Sequence, residues 1–215
     1  MIRIALIDDH AVVRTGYRRL LDAEDDFEVV GEAASATEAN ALVLRTRPEV
    51  ALLDLSLKGS SGIEAMRGML ARQPGLAVLV LSMHDGAGHA TQALKCGARG
   101  YLTKYCEPEE VIDGIRRVAA GRRVFSPEIV EVLAGEALGS DGPLTQLTPR
   151  EFEVLRMLAH GESASGIASA MCLSPKTILN YLSLIRQKLD TDSDFKLLHL
   201  AARHGLVDLR LDTGL

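Results

Sequence analysis

The sequence predicts an α/β domain with a doubly wound, five-stranded parallel sheet, followed by an all-α helix-turn-helix domain of four helices. Three observations carry this. Short apolar runs alternate with stretches whose apolar residues recur every three or four positions, as strands alternating with amphipathic helices do. Two runs, Val50-Ala51-Leu52-Leu53 and Leu76-Ala77-Val78-Leu79-Val80-Leu81, have no polar interruption, the pattern of strands buried on both faces. From about residue 147 the alternation stops and only helical periods and helix-start signals remain.

Ile2–Ile7 reads as the first strand, with Asp8-Asp9-His10 at its carboxyl end. A helix follows, its apolar side Val12, Val13, Tyr17, Leu20 and Leu21. Phe27–Ala33 is the second strand, and Ser35 or Thr37 can cap the next helix, which Arg47-Pro48 ends. The third strand runs to Asp54. The loop Lys58-Gly59-Ser60-Ser61-Gly62 leads to a helix with Ile63, Met66, Met69 and Leu70 on one side, broken at Pro74-Gly75. The fourth strand ends on Ser82, and a helix weakened by Gly86 and Gly88 follows. Gly100-Tyr101-Leu102-Thr103 is the fifth strand, ending at Lys104, and Pro108 starts a helix carrying Val111, Ile112, Ile115 and Val118.

Ser126-Pro127 opens a short helix to about Ala134, and the Gly-rich stretch from Gly135 to Gln146 reads as a linker. Thr148-Pro149 and Ser174-Pro175 are cap-plus-proline helix starts, and Ser163 can cap a short helix between them. Lys196–His204 makes the last helix. A short helix, a tight turn and a longer capped helix form a helix-turn-helix. The expected domains are therefore 1–124, a short helix and linker over 125–146, and 147–215.

Composition bounds the function. No apolar run reaches the length of a membrane span, and Met1-Ile2-Arg3-Ile4 runs into acidic Asp8-Asp9 unlike a signal peptide. Cys96, Cys106 and Cys172 have no CxxC spacing and read as packing residues in a reducing compartment, so the cytoplasm is the expected location. The net charge of −5 is uneven: sixteen Lys/Arg stand against twenty-one Asp/Glu before residue 147, and eight against eight after it. Charge alone does not announce nucleic-acid binding.

The chemistry gathers at strand ends. In a parallel sheet these ends share one mouth, so Asp8, Asp9, Asp54, Ser82 and Lys104 converge. One aspartate at a strand end is commonly a turn or cap residue; five suitable residues in this order are what carry the reading. Three carboxylates together repel unless a hard cation sits among them, and magnesium suits oxygen donors beside a phosphate. A hydroxyl and an ammonium can then receive oxygens of a phosphoryl group on Asp54, since carboxylates act as phosphoryl acceptors.

This set resembles the receiver domain of two-component response regulators, which implies a flavodoxin-like fold. Leu147-Thr148-Pro149-Arg150-Glu151 and Leu173-Ser174-Pro175-Lys176-Thr177-Ile178 resemble the NarL/LuxR-type DNA-binding domain. The resemblance implies that Asp54 takes phosphate from a sensor histidine kinase. It also implies that Asp8, Asp9, Asp54 and the Ser56 carbonyl hold Mg2+, that Ser82 is the switch hydroxyl, and that Tyr101 is the aromatic moving with it, with Lys104 binding phosphate. The implied protein is a transcription regulator and not an enzyme, dimeric when phosphorylated, with double-stranded DNA and RNA polymerase as partners.

On the DNA side the polar candidates are Lys176, Thr177, Asn180, Tyr181, Ser183 and Lys188. Asn180 suits adenine in the major groove, and Lys176 and Lys188 suit phosphates. His10 reads as a helix-start residue, and His84 and Asp85 flank the switch position. The chain departs from the family pattern at Leu57-Lys58, where Met-Pro is usual, at Met83 beside the switch hydroxyl, at Gly166, and at Leu179, where polar or basic residues are common. Two other readings stay open: a receiver that is not phosphorylated, and a magnesium-dependent phosphatase forming an aspartyl phosphate. Such phosphatases place Asp-x-Asp after one strand, and here the strand ends offer adjacent Asp8-Asp9 and a lone Asp54.

Overall fold

The structure is a computed structural model, and it describes residues 1–57, 61–83, 87–137, 143–171, 173–204 and 206. Lys58, His84, Asp85, Cys172 and parts of the expected linker and C-terminus lie outside the described residues. The chain folds into two compact units, residues 1–85 with 93–131 and residues 86–92 with 132–215.

The first unit is built on β1 (Ile2–Ile7), β2 (Phe27–Ala33), β3 (Val50–Leu53), β4 (Ala77–Ser82), β5 (Gly100–Thr103) and β6 (Val124–Phe125). The connecting helices are α1 (Ala11–Leu21), α2 (Ala36–Thr46), α3 (Gly62–Arg72), α4 (Ala87–Lys95) and α5 (Pro108–Ala119). The unit boundary falls within α4. All strand pairs are parallel, in the order β2-β1-β3-β4-β5-β6. Chain order reverses between β1 and β3, and that switch point is where open α/β sheets place ligands.

The sheet has six strands where five are expected. The extra strand, Val124–Phe125, pairs with Gly100 and Tyr101 at the edge. Two residues are too short for any alternation to register. In α1 the core side is narrower than expected: Leu21 is buried, Val13, Tyr17 and Leu20 are partly buried, and Val12 is 86% exposed. Val13, Tyr17, Leu20 and Leu21 follow the i, i+4, i+7, i+8 stripe, and Val12 falls outside it.

Every residue of β3, β4 and β5 is buried, as expected for strands covered on both faces. Ile4, Leu6, Leu52, Leu79 and Leu81 pack with Val111, Ile115 and Val118 of α5 into one core. Of the two candidates for the α2 cap, Ser35 does the work, accepting the Glu38 N–H. Arg47 closes α2 in the left-handed region at φ 48°, just before Pro48.

Helix α6 (Pro127–Ala137) runs three residues past its expected end, and Pro143–Gln146 forms a 3-10 turn inside the expected linker. One interior glycine, Gly135, costs a helix only about 1 kcal/mol, which its neighbours Leu133, Ala134 and Glu136 tolerate. In the second unit four further helices follow among the described residues, α7 (Pro149–Ala159), α8 (Ala164–Ala170), α9 (Pro175–Lys188) and α10 (Asp194–Arg203). Thr148, Ser163, Ser174 and Ser193 each cap their helix through the side-chain oxygen. Phe152, Leu155, Ile167, Ile178, Leu182, Ile185 and Leu197 fill its core.

Candidate functional site

The backbone ladder continues one residue past the strands and fixes where the site residues stand. Asp54 N–H donates to Ile7 O at 2.8 Å, Asp8 N–H to Ala33 O at 3.1 Å, and Lys104 N–H to Ser82 O at 2.8 Å. Asp8, Asp54 and Ser82 are buried, and only 10% of the Lys104 side chain is exposed.

The Lys104 ammonium lies 2.7 Å from Asp8 Oδ2 and 2.7 Å from Asp54 Oδ2, bridging two carboxylates from strands adjacent in space and far apart in sequence. Burial is the largest influence on this ammonium and pulls its pKa down, yet hydrogen bonds to Asp54 and Asp8 outweigh it and the net shift is upward. Asp54 Oδ1 accepts the Ser56 N–H at 3.0 Å. Asp8 Oδ1 accepts the His10 N–H at 2.7 Å, and His10 Nδ1 lies 3.2 Å from Asp8 Oδ1 and 2.9 Å from Asp9 Oδ1.

Asp8, Asp9, His10 and Asp54 each offer a ligand atom within 4.8 Å of the others. Three of those donors are carboxylate oxygens on a partly buried floor, a set that fits a hard divalent cation such as Mg2+. Sequence reasoning places Asp8, Asp9, Asp54 and Lys104, which the fold brings together. Ser56 stands in the loop just after Asp54, Ser82 at the end of β4, and Tyr101, wholly buried, in β5 beside it. Two neighbours of the site escape the sequence reading: His10 is read there only as a helix-start residue, and Arg14 is given no role. His10 packs on the acidic pair, and Arg14, one helical turn on, donates from Nη1 to Asp8 O at 2.6 Å. An arginine on an ordinary helix face gives no sign of a carbonyl partner.

In the second unit α9 buries Ile178, Leu182 and Ile185 and turns Lys176, Leu179, Asn180, Ser183 and Gln187 outward. Thr177 and Tyr181 are half-buried at its flanks, and the Thr177 hydroxyl lies 2.8 Å from the Ser174 cap. Lys188 is engaged within the domain: its ammonium donates to Glu151 Oε2 at 2.6 Å, and Glu151 is 4% exposed. Thr148 N–H reaches the same oxygen at 2.7 Å, closing a capping box at the start of α7. Burial, the largest influence, pushes the Glu151 carboxyl up, but Lys188 and Thr148 together hold it below the usual range. No helix among the described residues is long and apolar enough to cross a membrane.

Comparison with known proteins identifies both domains. Residues 4–116 match the response regulator receiver domain, and residues 145–201 match the bacterial regulatory proteins of the luxR family. The response regulator GacA of Pseudomonas aeruginosa is 37% identical over 211 residues, covering 97% of this chain and 99% of its own. The response regulator UvrY of Escherichia coli is 33% identical, covering 96% of each chain. Among solved structures, RcsB of Salmonella enterica serovar Typhimurium, bound to promoter rprA in the presence of the phosphomimetic BeF3−, superposes with a TM-score of 0.75. It is 25% identical and covers 93% of this chain and 97% of its own. With a receiver sheet ending in its acidic site and a luxR-type helix-turn-helix behind it, the chain belongs to the two-component response regulators of the NarL/LuxR type.

Proposed function

We propose that this regulator is switched by phosphorylation of Asp54 by a sensor histidine kinase. The observation that carries the reading is the Lys104 ammonium bridging Asp8 and Asp54 at 2.7 Å each, a cation already held where phosphoryl oxygens would arrive. An oxygen of Asp54 attacks the phosphorus of a phosphohistidine. An acyl-phosphate bond forms, the P–N bond breaks, and the kinase imidazole leaves with the electron pair and takes up a proton.

Asp8, Asp9, Asp54 and the Ser56 carbonyl are the residues that would hold Mg2+, whose bound charge would offset that of the phosphoryl oxygens. Ser82 and Lys104 receive phosphoryl oxygens, and Tyr101 follows Ser82. The DNA-reading set is Lys176, Thr177, Asn180, Tyr181 and Ser183 on and beside the outward face of α9; Lys188 joins it as a phosphate contact only by leaving Glu151. With so few cations on that face, binding relies on a homodimer on paired half-sites. RNA polymerase is the further partner of a promoter-bound dimer, and the cytoplasm is the compartment this work requires.

The test is labelling of the full chain by a radioactive small-molecule acyl phosphate with magnesium. Asp54→Asn removes the label; a variant that labels as well as the parent rejects Asp54 as acceptor.

A further inference from the structure

We propose that Leu179 reads a thymine methyl group in the DNA major groove, so that this regulator selects one position of each half-site by an apolar contact. The inference rests on the DNA-binding reading above and assigns α9 a contact that none of its polar residues supplies. Leu179 is 58% exposed, one of the few large apolar side chains open to solvent among the described residues of the second unit. Isolated exposed leucines are ordinary, so position decides. Leu179 is the fifth residue of α9, in the half of a recognition helix that meets base edges.

On a helix, residues three and four apart share a face. Leu179 therefore stands between Lys176, three residues before, and Ser183, four after, and both are exposed or half-exposed. The face that would enter a groove thus presents an ammonium, a butyl group and a hydroxyl in one strip, with the Asn180 amide beside them. Of the base edges in the major groove, only thymine offers a methyl for an apolar side chain to cover. Successive helix residues diverge by roughly 100°. Leu179 and Asn180 consequently meet neighbouring base pairs, and the half-site carries a thymine next to the adenine that suits Asn180.

A leucine in this place also withholds charge. Arg186, further along α9, is paired with Asp194, and Lys188 with Glu151. Specificity here comes from contact shape, with a small electrostatic share and a shallow salt dependence.

The experiment uses the full chain, treated with a small-molecule phosphodonor, and DNA selected from a random pool. Each thymine of the selected site is replaced singly by uracil, which removes only the methyl. At one position per half-site uracil weakens parental binding about fourfold, the worth of one buried methyl. Leu179→Ala loses this discrimination while binding thymine and uracil sites alike, and Leu179→Met, still apolar, keeps it. Leu179→Lys binds all DNA more tightly and steepens the salt slope by about two units, one for each protomer of the dimer. Full uracil sensitivity in Leu179→Ala overturns the inference and leaves the DNA-binding reading standing, as does a selected site without thymine. Failure of the parent to enrich any DNA overturns both.

Discussion

Lys104 and Asp54 meet through Nζ and Oδ2 at 2.7 Å, and the same ammonium reaches Asp8 Oδ2 at 2.7 Å. One cation therefore bridges two buried carboxylates from different strands and offsets only part of their charge. Removing it as Lys104→Met leaves those charges facing each other, and breaking such a pair costs roughly 3–5 kcal/mol. Magnesium would offset the same charges, so it stabilises the variant more than the parent. Urea unfolding with magnesium and with EDTA measures the two gains; equal gains reject the cation-exchange account.

Glu151 and Lys188 make the matching statement for the second unit. The Glu151 carboxyl is held below its ordinary range, so its contribution is complete above the unfolded glutamate pKa, near 4.3, and is lost as pH falls through the lower native value. Glu151→Gln flattens the stability profile in that acid window. Lys188→Met costs about 1.5–3 kcal/mol at neutral pH, the range for a hydrogen bond to a charged group. A profile for Glu151→Gln that still steepens below pH ~4.3 assigns the acid sensitivity elsewhere.

What the sequence discloses follows from the physics of each signal. Buried parallel strands are uninterrupted apolar runs, so the last apolar residues, Leu53 and Leu81, announce where β3 and β4 end and which polar residue comes next. Caps are equally legible, since Thr148-Pro149 and Ser174-Pro175 combine an oxygen acceptor with a preset φ. Contacts between distant side chains leave no such mark. Lys188 finds Glu151 thirty-seven residues away, and nothing in the local spacing sets it apart from Lys176 on the same helix. His10 looks like a helix-start residue and is one, yet its ring also rests on both acidic neighbours. Val124–Phe125 pairs because β5 offers an edge, which no local pattern can foretell.

Cys106 gives a chemical check on burial. Desolvation, with Glu110 next in effect, pushes its thiol up to about 11. At pH 8 only about one thiol in a thousand is then the reactive thiolate. Cys96 is also shifted upward by burial, partly opposed by Arg67. Native protein therefore alkylates slowly at both residues, and the Cys106 rate climbs as pH approaches about 11. Rapid modification of Cys106 at pH 8, located by peptide mapping, contradicts this environment.

Two glycines that both sit in first helical turns have opposite prospects. A Cβ on Gly62 would run into Leu55 Cα and lie 2.7 Å from Asp54 O, both backbone atoms of the segment that carries Asp54, the proposed acceptor. Neither can move without moving Asp54, so Gly62→Ala destabilises by roughly 1–3 kcal/mol, as overpacking does, and slows labelling of Asp54. A Cβ on Gly166 would meet Glu162 Oε2 at 2.7 Å, the end of a flexible exposed side chain that can turn aside. There the helix gains the alanine propensity, and Gly166→Ala stabilises by up to about 1 kcal/mol. Denaturant unfolding of both variants, with labelling rates for the first, checks the contrast. Destabilisation by Gly166→Ala, or unchanged labelling in Gly62→Ala, rejects the corresponding half, because each rests on whether the nearest atom is free to give way.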